Sequence, residues 1–174
     1  MSTEEKEGAI HFFSKADCYA CHNGPALSSM SFYALGMNDL EGPLVLGFDT
    51  HNDSKSGRGG FTEKGEDMNK FKVPQLYNIT DSPFLGHGGN FTSVEEIIKY
   101  KNRAVVQNSS VNLNNIASEF VPLGLTNEEI LKITAFIENS LNDTNLMRYE
   151  PTNIPTGLCF PNNDLQSRVD LGCN

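Results

Sequence analysis

Cys18-Tyr19-Ala20-Cys21-His22 places two thiols three residues apart, with an imidazole directly after the second. On a turn, that spacing lets each thiol add to one of the two vinyl groups of a haem. The adjacent histidine then lies beneath the iron as its proximal ligand, which is the attachment pattern of c-type haem. Two other chemistries use paired cysteines. A zinc site needs four thiolate or imidazole ligands, and a thioredoxin-like redox pair needs a surrounding βαβ pattern. Cys159 and Cys173 lack the paired spacing of a second zinc knuckle, and no strand alternation frames Cys18. The motif therefore reads as one covalent haem c on Cys18 and Cys21, with His22 on the iron. Cys159 and Cys173 lie in a loop-rich tail, where they either form a disulfide, if the chain matures outside the cytoplasm, or remain two inert thiols.

The rest of the chain must position that motif. Of 174 residues about a quarter are Leu, Ile, Val or Phe, enough for one real core. Thirteen Lys and Arg against 22 Asp and Glu give a net charge of −9. Such a surface does not neutralise phosphates, so nucleic acid is not an expected partner. No stretch approaches the ~20 consecutive apolar residues of a membrane span, and the expectation is a soluble protein. Residues Met1 to Glu7 are acidic and polar where an export signal would be basic and then apolar, so no such signal is read there.

Ser2 with Glu5, Ser93 with Glu96 and Thr126 with Glu129 have the form of capping boxes, each ahead of an apolar helical period. They predict helices over about 3–15, 93–106 and 127–142. From Asn23 to Phe71 the chain is punctuated by Gly, Pro, Asn and Ser without strong period, and reads as loop. A loop section that long suits a domain wrapped around a cofactor. From Tyr149 onward, Pro151, Pro155 and Pro161 predict a tail that runs extended. The domain reading is 1–148 for the haem domain and 149–174 for the tail.

Glu4 through Phe13, Cys18 through Pro25, Phe71-Lys72-Val73-Pro74-Gln75-Leu76-Tyr77-Asn78, Pro83 through Asn90, Phe91 through Glu96 and Leu125 through Glu129 follow one another in an order. That order resembles the C-terminal haem domain of bacterial di-haem cytochrome c peroxidases and their MauG-like relatives, over about residues 3–142. The resemblance implies a mostly α, cytochrome c-like domain with long ordered loops. Electrons enter such enzymes through this domain, and hydrogen peroxide is reduced on the N-terminal haem domain. With one haem motif in the sequence, the expectation is a C-terminal portion of a longer exported, periplasmic protein. Its implied partners are that N-terminal domain and a small electron-donor cytochrome or copper protein, in a parent that commonly dimerises. A Ca²⁺ ion between the two domains, partly held by carbonyls near Val73 and Pro74, would be incomplete in this chain. The alternatives are a self-contained mono-haem c-type electron carrier and MauG-like oxidation through high-valent iron.

The family's sixth iron ligand, Met or Tyr, falls on the helix beginning near Ser93, at Lys101 with Tyr100 beside it. Lysine ligates only when deprotonated, and otherwise is a solvated helix-face charge. Tyr100 could ligate as phenolate or simply pack. Met30, Met37 and Met68 could approach on flexible loops, Met68 being nearest the Phe71–Asn78 motif, or fill core. An open sixth position is the remaining alternative. His87 matches a family histidine kept near the haem edge, with Gly86 as an extra residue. The flanking glycines let backbone approach a flat cofactor and the ring could donate to a propionate, or it is a loop histidine bound to backbone. His11 and His51 read as structural or solvent-facing.

Overall fold

The computed structural model describes residues 1–39 and 55–143, with Gln166 and Val169. These carry α1 (Thr3–Phe12), α2 (Arg58–Thr62), α3 (Val94–Arg103) and α4 (Asn127–Ala135), and one antiparallel pair of two-residue strands, β1 (Phe32–Tyr33) and β2 (Phe71–Lys72). Contacts divide the chain into Met1–Asn142 and Asp143–Asn174, and the architecture below is that of the first unit, which is mostly helical. The 148/149 boundary, Cys159, Cys173 and His51 lie outside the described residues. Gln166 and Val169 are helical where the sequence predicts an extended run.

Two of the three caps close reciprocally. The Ser2 hydroxyl accepts from Glu5 N–H at 3.2 Å while the Glu5 carboxylate accepts from Ser2 N–H at 3.0 Å. Thr126 and Glu129 repeat the arrangement at 3.2 and 2.7 Å. At α3 the box is half formed, because the Glu96 carboxylate accepts from the N–H and hydroxyl of Thr92 rather than from Ser93. The helices stop earlier than their sequence periods. After α1, Asp17 adopts the left-handed conformation (φ 48°) and Ala16 turns into the core. Ala104, also left-handed (φ 49°), ends α3 and leaves Val105 exposed. Beyond α4 the chain continues as a π-helical turn, Phe136–Ser140, that buries Phe136 and Ile137.

Among the described residues α1 and α4 make the largest helix–helix contact. Gly8 permits it: a Cβ on Gly8 would stand 1.9 Å from the Lys132 carbonyl oxygen. Phe12 fills the space behind, with its ring 5.4 Å from that of Phe136. Around the rim Lys132 Nζ lies 2.8 Å from Glu7 and Lys15 Nζ 2.7 Å from Glu129.

The loops are ordered by long-range hydrogen bonds. Ser28 Oγ donates to the Val73 carbonyl at 2.7 Å, and Asn78 N–H to the Leu141 carbonyl at 3.1 Å. Gly36 (φ 67°) presents its carbonyl to the N–H groups of Gln107 and Asn108. The stretch read as loop between Asn23 and Phe71 contains β1 and α2. Neither has a local period to betray it: β1 exists through a distant partner strand, with Phe32 opposite Lys72 and Tyr33 opposite Phe71, and the five residues of α2 include Gly59 and Gly60.

Replacing Gly8 with Ala should destabilise the folded chain by about 2 kcal/mol or more, read as a lowered denaturant midpoint. Glu129 is held well below the usual carboxylate range, at about 2, first by the Lys15 hydrogen bond and then by the Thr126 N–H. Its contribution to stability is therefore complete above the unfolded value of about 4.3 and is lost as pH falls toward 2. Glu129→Gln should flatten the pH dependence of the unfolding midpoint in that window.

Candidate functional site

The motif sits on a 3₁₀ turn, Cys18–Ala20, launched by left-handed Asp17. His22 N–H closes onto the Cys18 carbonyl at 2.8 Å, and Ser29 N–H onto the Cys21 carbonyl at 2.9 Å. Asn23, which the sequence reading passed over, donates its amide to the Tyr19 and Ala20 carbonyls at 3.1 and 3.2 Å and so seals the end of the turn. An Asn directly following the motif is the signal that could have found it, since its short amide bonds nearby backbone.

His22 Nδ1 lies 3.0 Å from the Leu27 carbonyl oxygen. A carbonyl cannot donate, so Nδ1 carries the proton and a neutral ring keeps its lone pair on Nε2. The ring is neutral: burial, seconded by the positive charge of Lys101 and opposed by the Leu27 and Pro74 carbonyls, brings its pKa down to about 4. Burial likewise pushes the Cys18 thiol up to about 11 and raises that of Cys21, with Lys101 opposing both. Cys21 also meets the Tyr33 hydroxyl, a neighbour that no local pattern announces. Both cysteines are free thiols. Among the described residues no three His, Cys, Asp or Glu side chains converge as a metal cluster.

No protein-family profile matches the chain. Curated relatives do: cytochrome-c peroxidase IdrP1 of Denitromonas iodatirespirans is 28% identical over 174 residues, 89% of this chain and 44% of the relative. IdrP1 of Pseudomonas sp. (strain SCT) is 29% identical over 87% of this chain and 44% of its own length. Cytochrome c551 peroxidase of Nitrosomonas europaea is 29% identical over 82% and 36%. Among solved structures, a MauG-like protein associated with microbial copper homeostasis superposes with a TM-score of 0.65 at 22% identity, over 82% of this chain and 48% of that one. The di-haem peroxidase BthA of Burkholderia thailandensis gives 0.63 at 13%, over 83% and 43%.

The chain is homologous to the di-haem cytochrome c peroxidase and MauG-like family. It spans less than half the length of the relatives named here.

Lys101 is half-buried, and burial lowers the pKa of its ammonium, with the charges of Cys18 and Cys21 opposing. Tyr100 packs instead: its ring lies between Phe91 and Phe120, its hydroxyl donates to the Leu35 carbonyl at 2.6 Å, and burial raises its pKa to about 12. The Met68 thioether lies against Gly59 of α2. Met30 is exposed, with its sulfur 3.6 Å from Ser28 Oγ, and Met37 is buried beside Gly86.

His87 joins a different group. Its ring stacks on Phe71 (centroids 3.7 Å apart, planes 9° apart), and Nε2 lies 3.3 Å from Asp39 Oδ1. Gly88 allows this, for a Cβ there would fall 2.3 Å from Asp39 Oδ1. The side-chain pairing with Asp39 replaces the backbone bond read as one alternative. His11 Nδ1 lies 3.9 Å from Glu129. The Val73 carbonyl, placed by resemblance at a calcium site, accepts from Ser28 Oγ and from Lys72 Nζ at 3.0 Å.

Proposed function

We propose that Cys18 and Cys21 hold one c-type haem by thioether bonds, that His22 is its proximal iron ligand, and that the chain is the electron-transfer domain of a di-haem cytochrome c peroxidase. The observation that carries this reading is the His22 ring, neutral, with Nδ1–H bound to Leu27 and Nε2 bearing the lone pair, on the same turn as two free thiols, in a chain homologous to that family. The donor set fits the group. Two protonated thiols suit addition to vinyl carbons, and a neutral imidazole fixed through its other nitrogen suits an axial bond. Bound haem supplies reversible one-electron chemistry. The chain's own part is to hold the turn, exclude water from the ring and set its tautomer. Peroxide reduction itself belongs, in this proposal, to an N-terminal haem domain of the parent. Covalent haem attachment occurs outside the cytoplasm, which makes the mature protein periplasmic. Among the described residues no helix is long and apolar enough to cross a membrane.

Production in a periplasm with haem-maturation machinery should yield a chain that stains for haem on a denaturing gel, with one haem per chain and no peroxide turnover alone. The Cys18→Ala, Cys21→Ala double variant should lose the stain, and an unstained wild-type chain would overturn the proposal. With a net charge of −9, docking to a basic donor cytochrome is expected to be steered by charge. Its association rate should then fall as ionic strength rises, and a salt-independent rate in stopped flow would remove that steering.

A further inference from the structure

Met30 opens its side chain to solvent beside a buried hydroxyl. Among the described methionines, Met37 is 8% exposed and Met68 lies half-buried against Gly59, whereas Met30 is 60% exposed. Met1 is as open, but it stands ahead of the α1 cap. The Met30 backbone is left-handed (φ 59°), a region that residues with a side chain enter at a cost. The Ser28 hydroxyl holds it there by accepting from Met30 N–H at 3.2 Å.

That hydroxyl has a single proton to give and two acceptors in reach. It donates to the Val73 carbonyl at 2.7 Å, while Met30 Sδ, a weak acceptor, lies 3.6 Å away. The bond to Val73 is one of the ties between residues 25–31 and residues 73–77. Val73 N–H donates to the Ser31 carbonyl at 2.9 Å, and the Tyr77 hydroxyl to the Pro25 carbonyl at 2.9 Å. An oxygen on the sulfur would turn an apolar neighbour into a polar one, and a hydroxyl proton follows the better acceptor by simple rotation. The Val73 carbonyl keeps Lys72 Nζ at 3.0 Å as a donor. Loss of Ser28 therefore orphans no group and loosens one seam rather than the core.

We propose that Met30 is a peroxide-sensitive modification site, whose sulfoxide draws the Ser28 hydroxyl away from Val73 and frees residues 73–77 from the loop that follows His22. A sulfur lone pair attacks one oxygen of hydrogen peroxide. The S–O bond forms as the O–O bond breaks, the thioether loses an electron pair to the peroxide, and the departing hydroxide takes the proton left on the transferred oxygen and leaves as water. Sulfoxide reductases restore the thioether, so the change is reversible. The site stands apart from the haem reading, because neither the sulfur nor Ser28 belongs to the motif.

The test exposes the full wild-type chain, Met30→Leu and Ser28→Ala to hydrogen peroxide. Peptide mass spectrometry reads each methionine, and hydrogen–deuterium exchange reads residues 73–77, before peroxide, after it, and after treatment with methionine sulfoxide reductase. In wild type the Met30 peptide should gain one oxygen before the peptides bearing Met37 and Met68. Exchange over 73–77 should rise with it and fall back after the reductase. Met30→Leu should show no peroxide-dependent rise, and Ser28→Ala should exchange fast from the outset with no further increase. Should Ser28→Ala fail to fold, Met30→Leu and the reductase step decide between the outcomes. Oxidation of Met37 or Met68 ahead of Met30 would overturn the proposal, as would an oxidised Met30 with unchanged exchange over 73–77. Haem stain of the same samples bears on the haem reading alone.

Discussion

The close approach of α1 and α4 at Gly8 is the constraint on which the remainder rests. With no side chain there, the Lys132 carbonyl can touch the backbone of α1, and Phe12 and Phe136 then share one wall of the core. Phe12 also reaches toward the motif, its ring 6.4 Å from that of His22. The turn carrying the thiols begins a few residues later, so its place is set by how closely those helices pack.

The site is controlled by desolvation more than by charge pairing. Burial is the first cause of the shift at Cys18, Cys21, His22 and Lys101 alike, and it drives each of the four toward its neutral form. Neutral thiols and a neutral imidazole are the set an apolar porphyrin would meet without bringing unpaired charge into the interior. Among the described residues Lys132 with Glu7 and Glu128, Lys15 with Glu129, Lys99 with Glu95 and Arg58 with Asp67 pair their charges instead away from the motif.

What the sequence disclosed was local. The caps at Ser2 and Thr126 are written in four residues each, and the turn bearing Cys18, Cys21 and His22 in five, so neither needs a distant partner to be read. The apolar period after Ser93 was also legible, because helical spacing alone puts Val94 and Ile98 on one side. The helix ends were not: left-handed Asp17 and Ala104 are imposed by what the chain must do next, since Ala16 turns into the core. Nonlocal pairs were hidden for the same reason. Nothing near His87 announces Phe71 or Asp39, and nothing near Cys21 announces Tyr33; these meetings depend on a strand pair whose members are short and far apart. The half-formed cap at Ser93 shows a local rule diverted by a competitor one residue upstream, Thr92.

The π-helical turn after α4 adds a matter of phase. Leu141, directly after it, accepts from Asn78 N–H, and Asn78 closes the segment whose Pro74 carbonyl faces the His22 ring. Each residue of a regular helix advances the chain by about 100°. Removing one residue from Phe136–Ser140 would swing the Leu141 carbonyl round the axis by about that angle and away from Asn78. The winding of a helix remote in sequence from the motif thus helps decide how the imidazole is presented.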